Sequence, residues 1–475
     1  MRRSHQPSLT ENAPIHVAVV GHTNTGKTSL IRTLLRNDHF GRIANSAGTT
    51  RHVERALIQA GGNDIIALFD TPGLEDASSL LDILSEHFST TPRTAGIRDF
   101  LTQMDHYPDF EQEAKVLKQG LSCHALLYVI DVRFQLLEKY QDEIQILSWL
   151  GKPIIPVFNF VLDTHAQVDQ WRQQMIHFNL HASLEFDTVA FDFEAEKRLY
   201  QKLQSVLESH YVQIQTLIQF RSEEWQRLCE SAIQRIILLL ETSAGYRIAA
   251  GGQSGQTGRQ TLSDTIQNDI RKQEQQCLSD VLSLFSFTEK ELDIMQLPVS
   301  NGRWQMDLFS PQTLKLFGLN AGSSALTGAA AGAGLDLMVG GLSLGAAALL
   351  GATLGAGFST LKRYGKDISS VLLKQEWLCT NDTTIELLYL RGLDLLLHLT
   401  HRGHASLHQH TLHADHQTRR NPTLSLPDNW KTILKGLRSA QLNDEADNIE
   451  LNKARQALHH DLTSRIHSAS DHAAV

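Results

Sequence analysis

The sequence predicts an α/β domain with a doubly wound, mostly parallel sheet, followed by an all-α domain. Over the first 195 residues, short apolar and β-branched runs alternate with amphipathic helical stretches. Beyond that point, apolar residues recur at steps of three and four residues. Strands that alternate with helices form parallel sheets covered on both faces, whereas three- and four-residue periodicity is typical of helices.

The composition limits the class of protein. The chain has 475 residues, a formal net charge of -9 and four widely spaced cysteines. The acidic balance argues against a protein that coats nucleic-acid phosphates, so no nucleic-acid partner is expected. The cysteine spacing excludes a disulfide framework, and no signal peptide is recognised, so a cytoplasmic location is predicted.

The first domain is predicted to cover residues 14–195, after a flexible polar tail at residues 1–13. Its first strand is the apolar run at Ile15–Val20, and a helix follows from residue 26. Further strands are predicted at residues 55–58, 65–69, 125–130, 153–158 and 188–191, with a helix at residues 136–150.

The second domain is predicted to cover residues 196–475. A long helix is expected at residues 196–242 and a glycine-rich loop at residues 243–258. Helices are then expected at residues 262–296, at residues 367–399 and after residue 427.

A phosphate-binding loop (P-loop) follows the first strand. Residues 21–28 read G-H-T-N-T-G-K-T and fit the pattern G-x-x-x-x-G-K-[ST], between an apolar strand and a helix. Such a loop turns its backbone amides toward phosphates, and the helix dipole favours negative charge there. The residues predicted to bind nucleotide are Gly21, Asn24, Thr25, Gly26, Lys27, Thr28 and Ser29.

Two further motifs follow the P-loop. Gly48-Thr49-Thr50-Arg51 comes first, and Asp70-Thr71-Pro72-Gly73 comes after the strand ending at residue 69. Thr28 and Asp70 are predicted Mg²⁺ ligands, and Gly73 is positioned to sense a γ-phosphate.

These motifs resemble the Era-like branch of the translation-factor-related GTPases over residues 15–193. The resemblance implies a P-loop GTPase domain that binds GTP and GDP, with Lys27, Thr50 and Gly73 in the catalytic machinery. It makes Thr50 the switch I ligand of Mg²⁺. Leu74 stands where Ras-like proteins carry the catalytic glutamine and cannot orient water by hydrogen bonding. The resemblance therefore implies slow intrinsic hydrolysis, or water positioned by another group.

Asn24 suggests a second cation. Potassium-activated members of the Era-like branch have asparagine at this position, and K⁺ there would supply positive charge beside the phosphates. The alternative is a polar residue at a variable loop position.

The guanine-recognition motif departs from the family pattern N-K-x-D. Asn159 matches and is predicted to bind nucleotide, but Phe160 replaces the lysine and Leu162 replaces the acid. Asp163 follows one position late. Base specificity is therefore open, and stacking on Phe160 or Phe191 is an alternative to hydrogen bonding.

A glycine- and alanine-rich segment marks the second domain. Residues 316–335 and 337–361 carry no charge, and glycines recur at four-residue spacing, as in a glycine zipper. A helical hairpin at about 316–361 that turns near Asp336, or two spans broken by that residue, is predicted. It would insert conditionally in the inner membrane or lie at its surface, pack inside a soluble domain, or form a self-association surface.

Histidines crowd residues 398–416. A metal site formed by His401, His404 and His408 is one interpretation, and a solvated polar loop is the other.

Three functions compete. The first is a Mg²⁺-dependent GTPase switch read by the helical, membrane-associating domain. The second is a nucleotide-regulated scaffold or membrane-remodelling module with little turnover. The third is ribosome or RNA assembly, as in some Era-like relatives. The overall architecture resembles a little-characterised bacterial family of predicted GTPases, and this resemblance implies no partner for the second half.

Overall fold

The computed structural model forms two compact units, one ending at Gln226 and the other starting at Arg227. It describes residues 13–36, 53–90, 92–188, 192–249, 256–285, 299–300, 303–319, 335–339, 342–343, 376–400, 424–439 and 445–473.

The first unit contains a six-stranded sheet in the order β2-β3-β1-β4-β5-β6. Its strands are β1 (Ile15–Val20), β2 (Glu54–Ala60), β3 (Asn63–Asp70), β4 (Ala125–Asp131), β5 (Ile154–Asn159) and β6 (Leu184–Glu185). Only the pairing of β2 with β3 is antiparallel in this sheet. The prediction of a doubly wound, mostly parallel sheet is confirmed.

Helices cover both faces of this sheet. They are α1 (Lys27–Leu35), α2 (Ala77–His87), α3 (Arg93–Thr102), α4 (Glu111–Ser122), α5 (Glu138–Ser148), α6 (Val168–His177), α7 (Phe193–Val206) and α8 (Tyr211–Gly245). Val17 and Val19 of β1 belong to one buried cluster with α1, α7 and α8. Ala18 and Val20 belong to a second cluster with α2 to α6. Because side chains alternate along a strand, the continuous apolar run of β1 fills both cores.

The first unit extends beyond the boundary predicted at residue 195. Leu199 and Leu203 of α7, and Ile214 and Leu217 of α8, pack in the same core as β1. The last strand also differs from the prediction of residues 188–191, because β6 lies at Leu184–Glu185. The edge strand is only two residues long, so its sequence carries little strand signal.

The second unit is largely helical, as predicted. Its remaining helices are α9 (Gln256–Leu284), α10 (Pro311–Leu316), α11 (Asp382–Thr400), α12 (Trp430–Ser439) and α13 (Glu445–Ala473). Leu388 and Leu393 of α11 share one core with Ile236 of α8 and with Leu458 and Leu462 of α13.

Short strands interrupt this helical unit, which is a correction to the all-α prediction. They are β7 (Arg247–Ala249), β8 (Val299–Ser300), β9 (Arg303–Trp304), β10 (Leu335–Val339), β11 (Leu342–Ser343) and β12 (Glu376–Thr380). Four of them form a sheet in the order β11-β10-β12-β7, and β8 pairs with β9. Helix α11 therefore begins after β12, where the Asn381 side chain accepts a hydrogen bond from the Thr384 amide at 2.8 Å.

The glycine- and alanine-rich segment contains strand where a helix was predicted. Asp336 lies within β10 and is paired in register with Cys379 of β12, so the predicted helical turn at Asp336 is wrong. Residues 320–334, 340–341 and 344–375 lie outside the described residues, and so do His401, His404 and His408. Within the described ranges, no helix is long and apolar enough to cross a membrane.

Candidate functional site

The P-loop joins β1 to α1 in a tight curl. Gly26 has φ 97°, in the left-handed region, and a Cβ atom there would overlap the side-chain amide of Asn159. The next residue, Lys27, opens α1, and its Nζ donates hydrogen bonds to the carbonyl oxygens of Gly21 at 3.0 Å and His22 at 2.7 Å. The loop thus holds a lysine ammonium group within its curve, as the sequence predicted for a phosphate-binding residue.

Burial lowers the pKa of Lys27 to about 8. The nearby carboxylates of Asp70, Glu143 and Glu75 act in the opposite direction, because negative charge favours the ammonium form. Added phosphate charge would favour that form further. The ammonium form of Lys27 is therefore available to bind an anion.

Thr28 and Asp70 meet where a metal ligand pair is predicted. Thr28 Oγ1 donates to Asp70 Oδ2 at 2.5 Å. Among the described residues, the buried Asp70 Oδ1 has no hydrogen-bond partner, and burial raises the pKa of this carboxyl group. A hydroxyl and a carboxylate with an unsatisfied oxygen are ligands that suit Mg²⁺, so these residues fit the ion.

The segment after β3 lies directly against the P-loop. Thr71 Oγ1 donates to the carbonyl of Val19 at 2.8 Å, which fixes the start of the segment on β1. A Cβ atom on Gly73 would lie 2.7 Å from the backbone nitrogen of Thr23, closer than real contacts allow. Glycine is therefore required sterically at the position predicted to sense a γ-phosphate.

Leu74 is fully buried, in the core with α2 and α5. It belongs to the same buried cluster as Leu80 and Ile144, and its apolar side chain offers no hydrogen bond to a nucleophilic water. Thr50 and the rest of the predicted switch I motif lie outside the described residues.

Asn159 joins three loops at the end of β5. Its Nδ2 donates to the Thr25 carbonyl at 2.8 Å, and its Oδ1 accepts from the backbone amides of Thr188 and Phe160, each at 2.9 Å. The Thr188 hydroxyl adds a hydrogen bond of 3.1 Å. Asn159 therefore holds the P-loop against the chain after β6.

The residues after Asn159 do not restore the family pattern for guanine. Phe160 has φ 61°, unusual for a residue other than glycine, and the Arg133 guanidinium lies 3.8 Å from the centre of its ring. Asp163 accepts hydrogen bonds from the backbone amide and ring of His165, which lower the pKa of Asp163. Leu162 is 44% exposed. The acid that follows one position late is thus held in a local turn.

Comparisons with known families agree with this geometry. The model of a family described as 50S ribosome-binding GTPase matches residues 16–160. A family described as a domain of unknown function, DUF3482, matches residues 172–464, more than half of the chain. The chain belongs to the DUF3482 family, and its first part is an Era-like P-loop GTPase domain.

Individual relatives match the first part of the chain. GTPase Der from Nautilia profundicola is 30% identical over 132 residues, covering 27% of this chain and 28% of Der. The tRNA modification GTPase MnmE from Mycoplasma mobile is 30% identical over 170 residues, 35% of this chain and 37% of MnmE.

The match with one solved structure also covers less than half of this chain. Era, in complex with MgGDPNP and part of 16S ribosomal RNA, is 20% identical over 41% of this chain and 55% of Era, with a TM-score of 0.28. The match thus spans about half of Era and less than two fifths of Der and MnmE.

Most of the predicted site residues come together. Gly21, Thr25, Gly26, Lys27 and Thr28 form the loop and the start of α1, with Ser29 in the first turn of α1. Thr25 is buried, and its hydroxyl donates to the His22 carbonyl at 3.0 Å. Asn24 is exposed and has φ 66°.

The prediction missed two side chains at the P-loop, His22 within the loop and Glu143 of α5. The imidazole of His22 lies 2.7 Å from Glu143 Oε1, and Glu143 is fully buried although it is charged. The available signal was an acidic residue on the apolar face of α5, one position before Ile144 and three after Tyr140. A carboxylate at such a position needs a buried partner.

Proposed function

We propose that the protein is a Mg²⁺-dependent GTPase switch whose nucleotide state is read by its helical second domain. The contact between Thr28 and Asp70, beside the buried ammonium of Lys27, is the observation that carries this proposal. Family membership supports GTP binding, and the steric fit of Gly73 against Thr23 supports γ-phosphate sensing.

In this proposal, each group has one task. Lys27 and the P-loop amides bind the β- and γ-phosphates, and Thr28, Asp70 and the switch I residue Thr50 hold Mg²⁺. When bound, Mg²⁺ neutralises charge on the phosphate oxygens. Because Leu74 is buried and apolar, no side chain at that position aligns the attacking water. We therefore propose a slow intrinsic rate of hydrolysis.

A charged cluster at the end of α1 supports communication with α8. Arg36, which caps α1, forms ion pairs with Glu196 at 3.5 Å and with Glu224 of α8 at 3.3 Å. Arg221 of α8 also contacts Glu224, at 3.0 Å. Helix α1 begins at the catalytic lysine, and α8 runs from the first unit into the second. A shift of α1 on nucleotide exchange would therefore act on α8.

Hydrogen exchange tests this coupling. Amides in α8 are expected to exchange at different rates in the GDP and GMPPNP states, and Glu224→Gln is expected to remove the difference. Glu223→Gln is the matched control, because Glu223 is exposed and bonded only within its helix to Gln219 among the contacts described. Identical exchange in the two nucleotide states of the wild type would contradict the switch.

Potassium activation is a finer part of the proposal. Asn24 is exposed on the P-loop, where its side-chain oxygen is free to face a cation beside the phosphates. Hydrolysis under single turnover should be faster in KCl than in NaCl, and Asn24→Ala should remove the difference. Equal rates in the two salts for the wild type would exclude K⁺.

Membrane contact and self-association remain proposals for the glycine- and alanine-rich segment. The uncharged runs and the flanking cations Lys315, Lys362, Arg363 and Lys366 favour an anionic lipid surface. Flotation with anionic liposomes in each nucleotide state tests the lipid proposal, and sedimentation equilibrium tests self-association. Protein that stays unbound in both states would exclude the lipid proposal.

Two other functions are favoured by particular observations. The buried Leu74 favours a scaffold with little turnover. The description of the family matched over residues 16–160 favours ribosome association. Co-sedimentation with ribosomal subunits in the GTP state would support the latter function over the switch at a membrane.

A further inference from the structure

The side chain of His22 is fixed by three contacts. Its Nδ1 lies 2.8 Å from the Leu74 carbonyl oxygen and 2.7 Å from Glu143 Oε1, and its Nε2 lies 3.0 Å from Lys139 Nζ. An ammonium group can only donate hydrogen bonds, so Nε2 accepts from Lys139. The hydrogen therefore belongs on Nδ1, which donates to the Leu74 carbonyl and to Glu143.

Glu143 holds this imidazole in place from the core. It is fully buried, and its second oxygen accepts a hydrogen bond of 2.9 Å from the Tyr128 hydroxyl. Tyr128 lies in the centre of β4 and is itself buried. With one oxygen engaged by Tyr128 and the other by His22, the carboxylate has little freedom to move. The ring of Tyr140 adds an edge contact to His22, with centroids 5.4 Å apart.

The contact with Leu74 joins the P-loop to the segment that senses the γ-phosphate. Leu74 follows Gly73, and Gly73 already packs against Thr23, the neighbour of His22. The Thr23 hydroxyl also donates to Glu75 Oε1 at 3.3 Å. His22 is thus the P-loop side chain that forms a hydrogen bond with the backbone immediately after Gly73.

We propose that His22 is a positioning residue for GTP hydrolysis. By holding the Leu74 carbonyl, it keeps the backbone amide of Gly73 in the orientation that meets the γ-phosphate, and Glu143 orients the imidazole for this task. The buried side chain of Leu74 cannot contact the attacking water. The γ-phosphate is therefore aligned through the backbone, by the His22 contact with the Leu74 carbonyl and the amide of Gly73. The proposal rests on the proposed GTPase function.

Two substitutions at His22 separate positioning from general support of the loop. His22→Ala removes the donor to the Leu74 carbonyl. His22→Asn keeps a nitrogen donor attached to Cγ, at nearly the position of Nδ1. His177→Ala, at an exposed residue of α6, is the control for loss of an imidazole elsewhere. The dissociation constant of Mg²⁺-GDP is measured first and shows that each variant folds.

The single-turnover rate and the GTP dissociation constant are then measured for all four proteins. His22→Ala should lower the rate about tenfold, the effect of one lost hydrogen bond in the transition state, while the dissociation constant stays within about twofold. His22→Asn should recover most of the rate. An unchanged rate in His22→Ala, or a rate in His22→Asn as low as in His22→Ala, would overturn the inference alone. Absence of hydrolysis by the wild type would overturn the proposed function and the inference with it.

Discussion

The hydroxyl of Thr28 donates a 2.5 Å hydrogen bond to the carboxylate of Asp70. The two residues are 42 positions apart. Thr28 lies in the first turn of α1, which follows β1, and Asp70 ends β3, so the parallel pairing of β1 with β3 brings them together. Ligands of ionic cofactors often meet in this way, because the carboxyl ends of neighbouring parallel strands share one edge of the sheet.

Asp70→Asn should impair Mg²⁺-dependent GTP hydrolysis. The variant keeps a side chain of the same shape but loses the negative charge beside Thr28, so activity or Mg²⁺ affinity should fall about 10–100-fold. Asp64→Asn is the matched control, since Asp64 lies on the same strand and bonds only to Gln59 among the contacts described. Steady-state phosphate release against Mg²⁺ concentration measures the effect. Equal curves for the two variants would contradict the metal assignment.

Gly73→Ala should abolish the response to the γ-phosphate while sparing GDP. The added methyl group would collide with the Thr23 backbone nitrogen, 2.7 Å away, so the segment after β3 must leave the P-loop. GDP affinity should stay near that of the wild type, and hydrolysis of GTP should be lost. Gly61→Ala adds a methyl group that would meet no atom within 4 Å, although φ is 58° there, so it strains the backbone without a collision and should spare hydrolysis. Full hydrolysis by Gly73→Ala would refute the steric argument.

Affinity for GTP should decline as the pH rises from 7 to 9. The pKa of Lys27 is about 8, so the ammonium form is lost as the pH rises through that value, and with it the attraction for phosphate. Bound phosphate favours the proton, so GTP binding should be accompanied by proton uptake in this range. Calorimetry in buffers of different ionisation enthalpy measures that uptake. Lys27→Arg should bind without it, because arginine stays charged. Wild-type binding without proton uptake at pH 8 would contradict the assigned pKa.

The second unit should depend on a buried ion pair. Arg391 Nε lies 3.0 Å from Glu274 Oε1, and both residues are buried. At a pH above the pKa of Glu274, where the carboxyl group is ionised, Arg391→Met would leave it unpaired and should cost about 3–5 kcal/mol in the free energy of unfolding. The double variant with Glu274→Met should recover most of this loss, because it removes both charges.

Burial raises the pKa of Glu274 to about 7 in the folded protein, above its unfolded value of about 4.3. The folded state therefore binds more protons between these values, and the stability of the wild type should fall as the pH rises through that window. Urea unfolding at several pH values tests both expectations. A double variant no more stable than Arg391→Met would contradict the pairing.

The motifs of the candidate site are short and local in the sequence. The P-loop and the segment Asp70-Thr71-Pro72-Gly73 are contiguous motifs that can be recognised in the sequence. The contacts that require their glycines are long-range, because Gly26 faces Asn159 and Gly73 faces Thr23. The prediction that Thr28 and Asp70 share a metal site came from the two motifs and their order along the chain.

The predictions failed where long-range partners decide the structure. Residues 335–339 belong to a segment with helical glycine spacing, yet they form β10 because β12 supplies the hydrogen-bonding partner. The role of Glu143 was missed because its partners, His22 and Tyr128, lie 121 and 15 positions away. Neither the pairing of β10 with β12 nor the contacts of Glu143 with His22 and Tyr128 can be recognised from hydrophobic periodicity in the sequence.

The most direct test of the account is single-turnover hydrolysis of GTP and ATP by the wild type and Lys27→Ala, with and without Mg²⁺. The account predicts slow release of phosphate from GTP that requires Mg²⁺, is lost in Lys27→Ala, and exceeds the rate with ATP. Hydrolysis of ATP at an equal or higher rate, or GTP hydrolysis that Lys27→Ala leaves unchanged, would contradict it.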